Sequence, residues 1–290
     1  MKILVTGCRG QLGTELRDVL EAKAPNKTTY IDIDDLDLTD EGAVARYLRQ
    51  GDFTHIVNCA AYTNVELAEE EKAKCHAVNI NAVSNLARLA DELDLRIIHI
   101  STDFVFDGTA HRPYTESDKT APQSVYASSK RKGETVLLGL SPNAIIIRTG
   151  WLYSPHGKNF VKTMLSQARQ GKPLRVVADQ IGTPTYATDL AEMIARILLR
   201  GPWTPGIFHY TDAGVASWYD FAVAALEAAG MPEAAAKVTP IPTADYPTAA
   251  TRPHYSVMSK AKITATYGVK IPHWQASLRR CMERILSNEE

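Results

Sequence analysis

The chain has 290 residues, with 32 basic against 33 acidic side chains and a formal charge of −1, so nothing sequence-wide draws it to nucleic acid or to an anionic membrane surface. Hydrophobic residues make up 45%, yet no run reaches the roughly 18 apolar residues of a membrane span, and the apolar start is too short for a signal peptide. This predicts a cytoplasmic protein without an anchor, and its length predicts one large domain with an annex, or two domains.

Through the first half, short β-branched runs alternate with segments of helical periodicity, the pattern of βαβ units around a parallel sheet. The first predicted strand, 2–6, runs directly into Gly7, Gly10 and Gly13, a Gly-x-x-Gly-x-x-Gly that opens a helix over 12–24. Glycines there permit a tight turn and close backbone approach, so a pyrophosphate can meet the free N–H groups of the helix start. The three glycines alone also fit an ordinary turn; their place after a first strand points to a dinucleotide, with Arg9, Gln11 and Leu12 beside them in the cradle. Cys8, in this loop, is widely separated from Cys59, Cys75 and Cys281 and forms no Cys-x-x-Cys, which argues against a zinc site or a disulfide framework.

The second strand, 28–33, carries Asp32, a carboxylate placed to accept hydrogen bonds from an adenosine ribose, which favours NADH. Arg9 opposes this, because a guanidinium in the glycine loop suits the 2′-phosphate of NADPH. Use of either cofactor is the expectation, with Asp37 and Leu38 counted in the same site. Strand 55–59 ends in Ala60, Ala61 and Tyr62, small residues followed by an aromatic, where backbone would pass close to the cofactor. Asn79, in a predicted helix over 77–93, reads equally as a surface position.

Strand 96–100 delivers Ser101, Thr102 and Asp103 to the carboxyl edge of the sheet, where doubly wound folds place their ligands. A helix over 127–140 follows, and Tyr126 and Lys130 at its start share one face. A carbonyl reduction needs an acid near the oxygen that gains charge, and a phenol with an ordinary pKa of about 10 is poorly matched to neutral pH. A Lys130 ammonium is expected to lower the Tyr126 pKa, with Thr102 polarising the carbonyl. Only one Tyr-x-x-x-Lys pair occurs among 12 tyrosines, and its meaning comes from the order of elements before it. A fifth strand, 144–148, completes the predicted sheet.

Beyond Trp151 the pattern loosens into helices at 158–170, 188–199, 218–229 and 274–286, strands at 175–178 and 207–211, and a Pro-rich loop at 240–253. The fold class expected is α/β: a doubly wound parallel sheet of Rossmann type in 1–150, completed by elements within 173–211. A smaller substrate lobe is expected from 151–172 and 212–290.

At these residues the chain resembles the extended short-chain dehydrogenase/reductase superfamily, and more narrowly the dTDP-4-dehydrorhamnose reductases. The narrower likeness rests on Ser101-Thr102-Asp103-Phe104-Val105-Phe106-Asp107-Gly108, on Tyr114 and Glu116 before Pro122, on the run from Arg148 to Tyr153, on Gly182-Thr183-Pro184-Thr185, and on Arg252-Pro253 with Ser256. The resemblance implies an NAD(P)H-dependent oxidoreductase that reduces the C4 ketone of a dTDP-deoxysugar to give dTDP-L-rhamnose for polysaccharide. It implies that Thr102, Asp103, Phe104 and Arg252 contact substrate, that Tyr126 donates the proton, that Lys130 holds the ribose and that Trp151 packs on the sugar. Phe104 departs from the tyrosine often found in that block, and Ala127 from a frequent glycine. Some members pair through acidic residues with Mg²⁺; Glu15 and Asp189 offer carboxylates, although their spacing shows no metal site, and a homodimer is the corresponding expectation. Another nucleotide-sugar 4-reductase or epimerase stays open, as does a regulatory subunit resembling that of methionine adenosyltransferase.

Overall fold

The structure, a computed structural model, describes residues 1–288; the last two residues of the expected substrate lobe lie outside the described residues. The apolar runs form β1 (Ile3–Thr6), β2 (Thr28–Ile31), β3 (His55–Asn58), β4 (Arg96–Thr102) and β5 (Ile145–Thr149). Between them lie α1 (Gln11–Lys23), α2 (Glu41–Gln50), α3 (Lys72–His76), α4 (Ala82–Glu92) and α5 (Val125–Leu140). Helix α2 was not among the predicted elements, although Asp40 caps it by accepting from the Ala43 N–H at 2.9 Å and Val44 and Leu48 turn one apolar face inward. The predicted helix over 77–93 starts earlier, at Lys72, and is broken by a π-turn over Ala77–Asn81. Strand β2 stops short of residue 33 because Asp32 enters a turn, its N–H donating to Asp35 Oδ2 at 2.8 Å.

Later in the chain come β6 (Leu152–Tyr153), α6 (Phe160–Arg169), β7 (Arg175–Val177), β8 (Ile181–Gly182), β9 (Thr185–Tyr186), α7 (Ala187–Leu199), β10 (Gly206–His209) and β11 (Ala216–Ser217). They are followed by α8 (Trp218–Ala228), α9 (Pro232–Ala235), β12 (Thr239–Ile241), α10 (Ala261–Tyr267) and α11 (Trp274–Ser287). Six strands form one parallel sheet in the order β10-β5-β4-β3-β1-β2. The order reverses between β1 and β3, so the crevice that such a reversal opens lies at the carboxyl ends of those strands.

Alternation along the strands puts apolar side chains on both faces, as a sheet covered by helices on each side requires. Ile3, Val5, Val57, Ile98 and Ile147 pack against α1 and α7, whereas Leu4, Ile56, Ile97 and Ile146 pack against α2, α4 and α5. A separate core holds the later elements together: Tyr153 and Tyr186, Leu165 of α6, Phe221 of α8, and Trp274 and Leu278 of α11. Ser217 and Asp220 form a reciprocal capping box at the start of α8, which fixes where Trp218 enters. No helix among the described residues is long and apolar enough to cross a membrane.

Candidate active site

One cleft of about 780 Å³ runs along the carboxyl edge of the sheet from Gly7 to Trp218. At one end lies the glycine loop. Gly7 has φ +65°, a Cβ on it would meet the Ala60 nitrogen at 2.7 Å, and a Cβ on Gly13 would strike the Gly7 carbonyl and lie 2.6 Å from Cys8 Cα. Both therefore let α1, β1 and the end of β3 approach closely. Gly10 is the N-cap of α1 and brings no side chain to cap it, so the first N–H groups of the helix face the cleft, as an anionic ligand requires. Gln11 Oε1 accepts from Asn159 Nδ2 at 3.0 Å, tying the loop to the start of α6, and Leu12 is buried beneath it.

Asp32 lines the cleft and accepts from the Arg9 N–H at 2.9 Å. The Arg9 guanidinium lies outside, exposed and paired with Asp34, so the two groups expected to compete for an adenosine ribose and its phosphate sit on one rim. Asp37 uses its carboxylate on the N–H and hydroxyl of Thr39 at 2.8 and 2.7 Å, and Leu38 belongs to the core, although both border the cleft. Ala60, Ala61 and Tyr62 form the next stretch of wall. Asn79 is not the surface residue it resembled: the π-turn aims it inward, where it accepts from Tyr62 N–H at 2.9 Å and donates to Ser129 Oγ at 2.9 Å. A π-turn at a functional wall is a recurring device. These residues fit a dinucleotide through the side-chain-free N-terminus of α1 and the close passage at Gly7; Thr149 Oγ1, buried on the same cleft, has no hydrogen-bond partner among the described residues.

Thr102, Asp103, Phe104, Tyr126, Lys130, Trp151 and Arg252 all border this one cleft. Ser124 caps α5, accepting from the Ala127 N–H at 3.2 Å, and so sets Tyr126 in the first turn, facing the end of β4. Thr102 hydrogen-bonds the phenol, but burial dominates and pushes Tyr126 up to about 12. Lys130 does not counter this. Its Nζ donates to the Ile100 carbonyl at 2.7 Å and lies 3.3 Å from His99 Nε2, and burial pulls it down to about 8. The expected lowering of the phenol by an adjacent ammonium is thus corrected, because desolvation outweighs a cation turned toward the sheet.

Asp103 is buried, accepts from the Thr102 hydroxyl at 3.1 Å, and is pushed up to about 6 by desolvation, with bonds from Ser256 and Thr102 working in the opposite direction. A Cβ on Gly150 would meet its carboxylate at 2.6 Å. Phe104 sets its ring edge to face against Tyr126, with centroids 6.0 Å apart, and walls the phenol. Trp151 has φ +51° and stacks on Trp218 at 3.5 Å and 5°. One indole face is therefore already covered, and Gly182 crowds the nitrogen side, where a Cβ would lie 2.5 Å from Trp151 Cε2. Arg252 reaches the cleft from the Pro-rich loop, paired at 2.6 Å with Glu66.

Glu15 is held by Arg284 at 2.8 Å and Asp189 by Arg280 at 2.6 Å. Glu15, Asp18 and His156 bring ligand atoms within 4.8 Å of one another. Arg284 binds both Glu15 oxygens, at 3.0 and 2.8 Å, and lies 3.6 Å from Asp18, so one of the cluster's two carboxylate charges is already offset. Trp218, Asn58, His99 and the buried Glu134–Arg148 pair were missed in the sequence. The available signal was a lone histidine inside the apolar strand 96–100 and an asparagine inside 55–59, polar residues at positions where a buried strand needs a partner for them.

The sequence profile of the RmlD substrate binding domain matches residues 1–287. A dTDP-4-dehydrorhamnose reductase of Aggregatibacter actinomycetemcomitans is 40% identical over 285 residues, covering 96% of this chain and 97% of that protein. A crystal structure of such a reductase from Clostridium acetobutylicum superposes with TM-score 0.93 at 39% identity, covering 99% of this chain and 100% of the other. One from Bacillus anthracis in complex with NADP does so with TM-score 0.92 at 33% identity, covering 98% and 100%.

Proposed function

We propose that this chain, which belongs to the RmlD substrate binding domain family, is an NAD(P)H-dependent oxidoreductase that reduces the C4 ketone of dTDP-4-dehydro-L-rhamnose to dTDP-L-rhamnose. The observation that carries the reading is the single cleft joining the glycine cradle to Thr102 and Tyr126. In this reading the Gly7–Gly13 loop and the start of α1 hold the cofactor pyrophosphate, Asp32 and Arg9 meet the adenosine ribose and its 2′ position, and Ala60, Ala61 and Tyr62 wall the dinucleotide. Asp37 and Leu38 complete the adenosine end. When bound there, the cofactor would supply a hydride to the sugar C4.

Tyr126 donates a hydrogen bond to the ketone oxygen, Thr102 turns its one hydroxyl proton from Asp103 to the same oxygen, and as that oxygen becomes an alkoxide Tyr126 transfers its phenolic proton to it. A phenol held near 12 is fully protonated at neutral pH, so the acid is loaded when substrate arrives, and an alkoxide is basic enough to take its proton. Phe104 keeps water from the phenol. Asp103 orients Thr102. Residues 1–150, completed by elements within 173–211, serve the cofactor, and 151–172 with 212–288 serve the substrate. The reading includes a homodimer, which sedimentation velocity tests, and a cytoplasmic place of work.

The test is a coupled assay in which the preceding dehydratase and epimerase generate the ketone and loss of reduced-nicotinamide absorbance is followed with NADH and NADPH. Tyr126→Phe is expected to lose about 10²–10⁴-fold in turnover while cofactor still binds. Unchanged turnover in that variant overturns the assignment of the acid. Tightly retained NAD⁺ without net oxidation of reduced cofactor points to an epimerase instead, and co-purification of a stoichiometric synthetase to a regulatory subunit.

A further inference from the structure

The Pro-rich loop reaches the cleft as a short bridge between two fixed points. At one end Thr243 gives its N–H and its hydroxyl to Asp179 Oδ1, at 2.8 and 2.6 Å. At the other, Pro253 packs on Gly108, where a Cβ would lie 2.5 Å from the proline Cβ. Tyr255 N–H donates to the Gly108 carbonyl at 3.1 Å and Ile181 N–H to the His254 carbonyl at 2.7 Å, so the chain is locked from there onward. Among the described residues, the hydrogen bonds that leave 247–252 all end on one carboxylate, that of Glu66.

Glu66 stands on the connection from β3 to α3. Its Oε1 accepts from Arg252 Nη2 at 2.6 Å and from Nε at 3.2 Å, and its Oε2 accepts from the Ala250 N–H at 3.1 Å, with the Ala249 N–H turned to the same carboxylate. Burial opposes a charge here, yet these donors hold the carboxyl below its ordinary value, so it is ionised throughout neutral pH. The connection that carries it is itself anchored. Ala68 is fully buried, Glu69 Oε1 accepts from the Val125 N–H at 2.8 Å in the first turn of α5, and the Tyr62 hydroxyl donates to Glu71 at 2.8 Å. One jaw is therefore rigid, and the other is a bridge with a single hold. That hold is ionic and within reach of water, with Glu66 37% and Arg252 29% exposed, so it can open without stranding a buried charge. Val65 and Arg252 both line the cleft. Pro253 ties the bridge to the Asp103–Gly108 block and Glu69 ties the opposite jaw to the helix of Tyr126, so the hold crosses the cleft at its Thr102 and Tyr126 end.

We propose that Glu66 is a positioning residue whose grip on 249–252 latches the Pro-rich loop across the mouth of the cleft, and that a nucleotide sugar enters and leaves by opening this latch. That the ligand is a nucleotide sugar rests on the reductase reading; the latch does not. Because the hold is made between two parts of the chain, it closes the cleft with or without ligand. Weakening it therefore speeds passage in both directions and leaves affinity nearly as it was. The glycine cradle lies at the other end and is indifferent to it.

Two measurements on the full chain test this. Without ligand, hydrogen exchange read by mass spectrometry follows the amides of 248–252 in the wild type, Glu66→Gln and Glu66→Asp. With dTDP or NADPH as the probe, stopped-flow fluorescence gives the association and dissociation rates. In Glu66→Gln the loop amides should exchange about fivefold faster, and dTDP association and dissociation should both quicken by about fivefold, the ratio that a partly exposed ion pair supports. The dTDP Kd should stay within about twofold and the NADPH rates should not move. Glu66→Asp keeps the charge and should fall between the two. Unchanged loop exchange in Glu66→Gln overturns the latch, whatever the protein binds. Faster exchange with only dTDP dissociation quickened makes Glu66 part of the binding surface and overturns the gate, and equal changes for dTDP and NADPH reduce it to a general support of the fold and do the same. A wild type that binds NADPH but no dTDP refutes the nucleotide-sugar reading, and the exchange measurement then decides the latch by itself.

Discussion

Glu134→Gln is the most demanding perturbation available away from the reacting groups. Glu134 and Arg148 are 0% and 1% exposed, and the carboxylate takes two bonds from the guanidinium and one from Ser101 Oγ at 2.6 Å. These bonds join α5, which carries Tyr126, to β5 and to the residue preceding Thr102 on β4. Removing the negative charge leaves a guanidinium buried without compensation, a loss of about 3–5 kcal/mol. At roughly 2–4 °C per kcal/mol for domains of this order of size, the melting midpoint should fall by about 6–20 °C. Differential scanning calorimetry at fixed pH reads this, and turnover below the midpoint should also fall, since the distance between Thr102 and Tyr126 is no longer held. Replacing both partners by Leu and Met should recover most of the stability, because an apolar pair of similar volume needs no charge balance. A loss below about 1 kcal/mol in Glu134→Gln would refute the view that this pair ties the helix of Tyr126 to the sheet.

Gly13→Ala places a methyl group against the Gly7 carbonyl and the Cys8 Cα and should abolish NADPH binding in fluorescence titration; binding within twofold of wild type would show that the helix can retreat from the strand. Trp218→Ala uncovers Trp151 and removes a stacking contact of about 0.5–1.5 kcal/mol, so KM for the nucleotide sugar should rise by up to about tenfold with NADPH affinity unchanged, and equal effects on both ligands would contradict it. Asp212 is fully buried, its Oδ1 has no hydrogen-bond partner among the described residues, and desolvation pushes it up to about 8. A carboxyl raised in the folded state favours folding most below its unfolded pKa of about 4 and loses that contribution as pH rises toward 8. Wild-type stability should therefore decline across that window relative to Asp212→Asn, and parallel curves in denaturant titrations would count against the burial argument.

Much of the fold was legible because its signals are local. The β-branched runs marked the five strands of the first half to within about two residues, and the glycine spacing after β1 marked the crevice, since only glycine lets that backbone pass Ala60. Helix α2 has a cap and an apolar face outside the predicted elements, and the π-turn at Ala77–Asn81 has no periodic signature, so spacing does not tell Asn79 from a surface residue.

The sequence by itself determined that a dinucleotide crevice and a Tyr/Lys helix exist and occur in a functional order, because both follow from residue type and spacing along one chain. Tertiary structure alone decided what those residues experience. Burial sends the Tyr126 phenol up rather than down, the Ile100 carbonyl and His99 turn Lys130 toward the sheet, Trp218 covers one side of Trp151, and two arginines of α11 claim Glu15 and Asp189. Desolvation and hydrogen-bond polarity depend on neighbours far away in the chain, and spacing does not encode them.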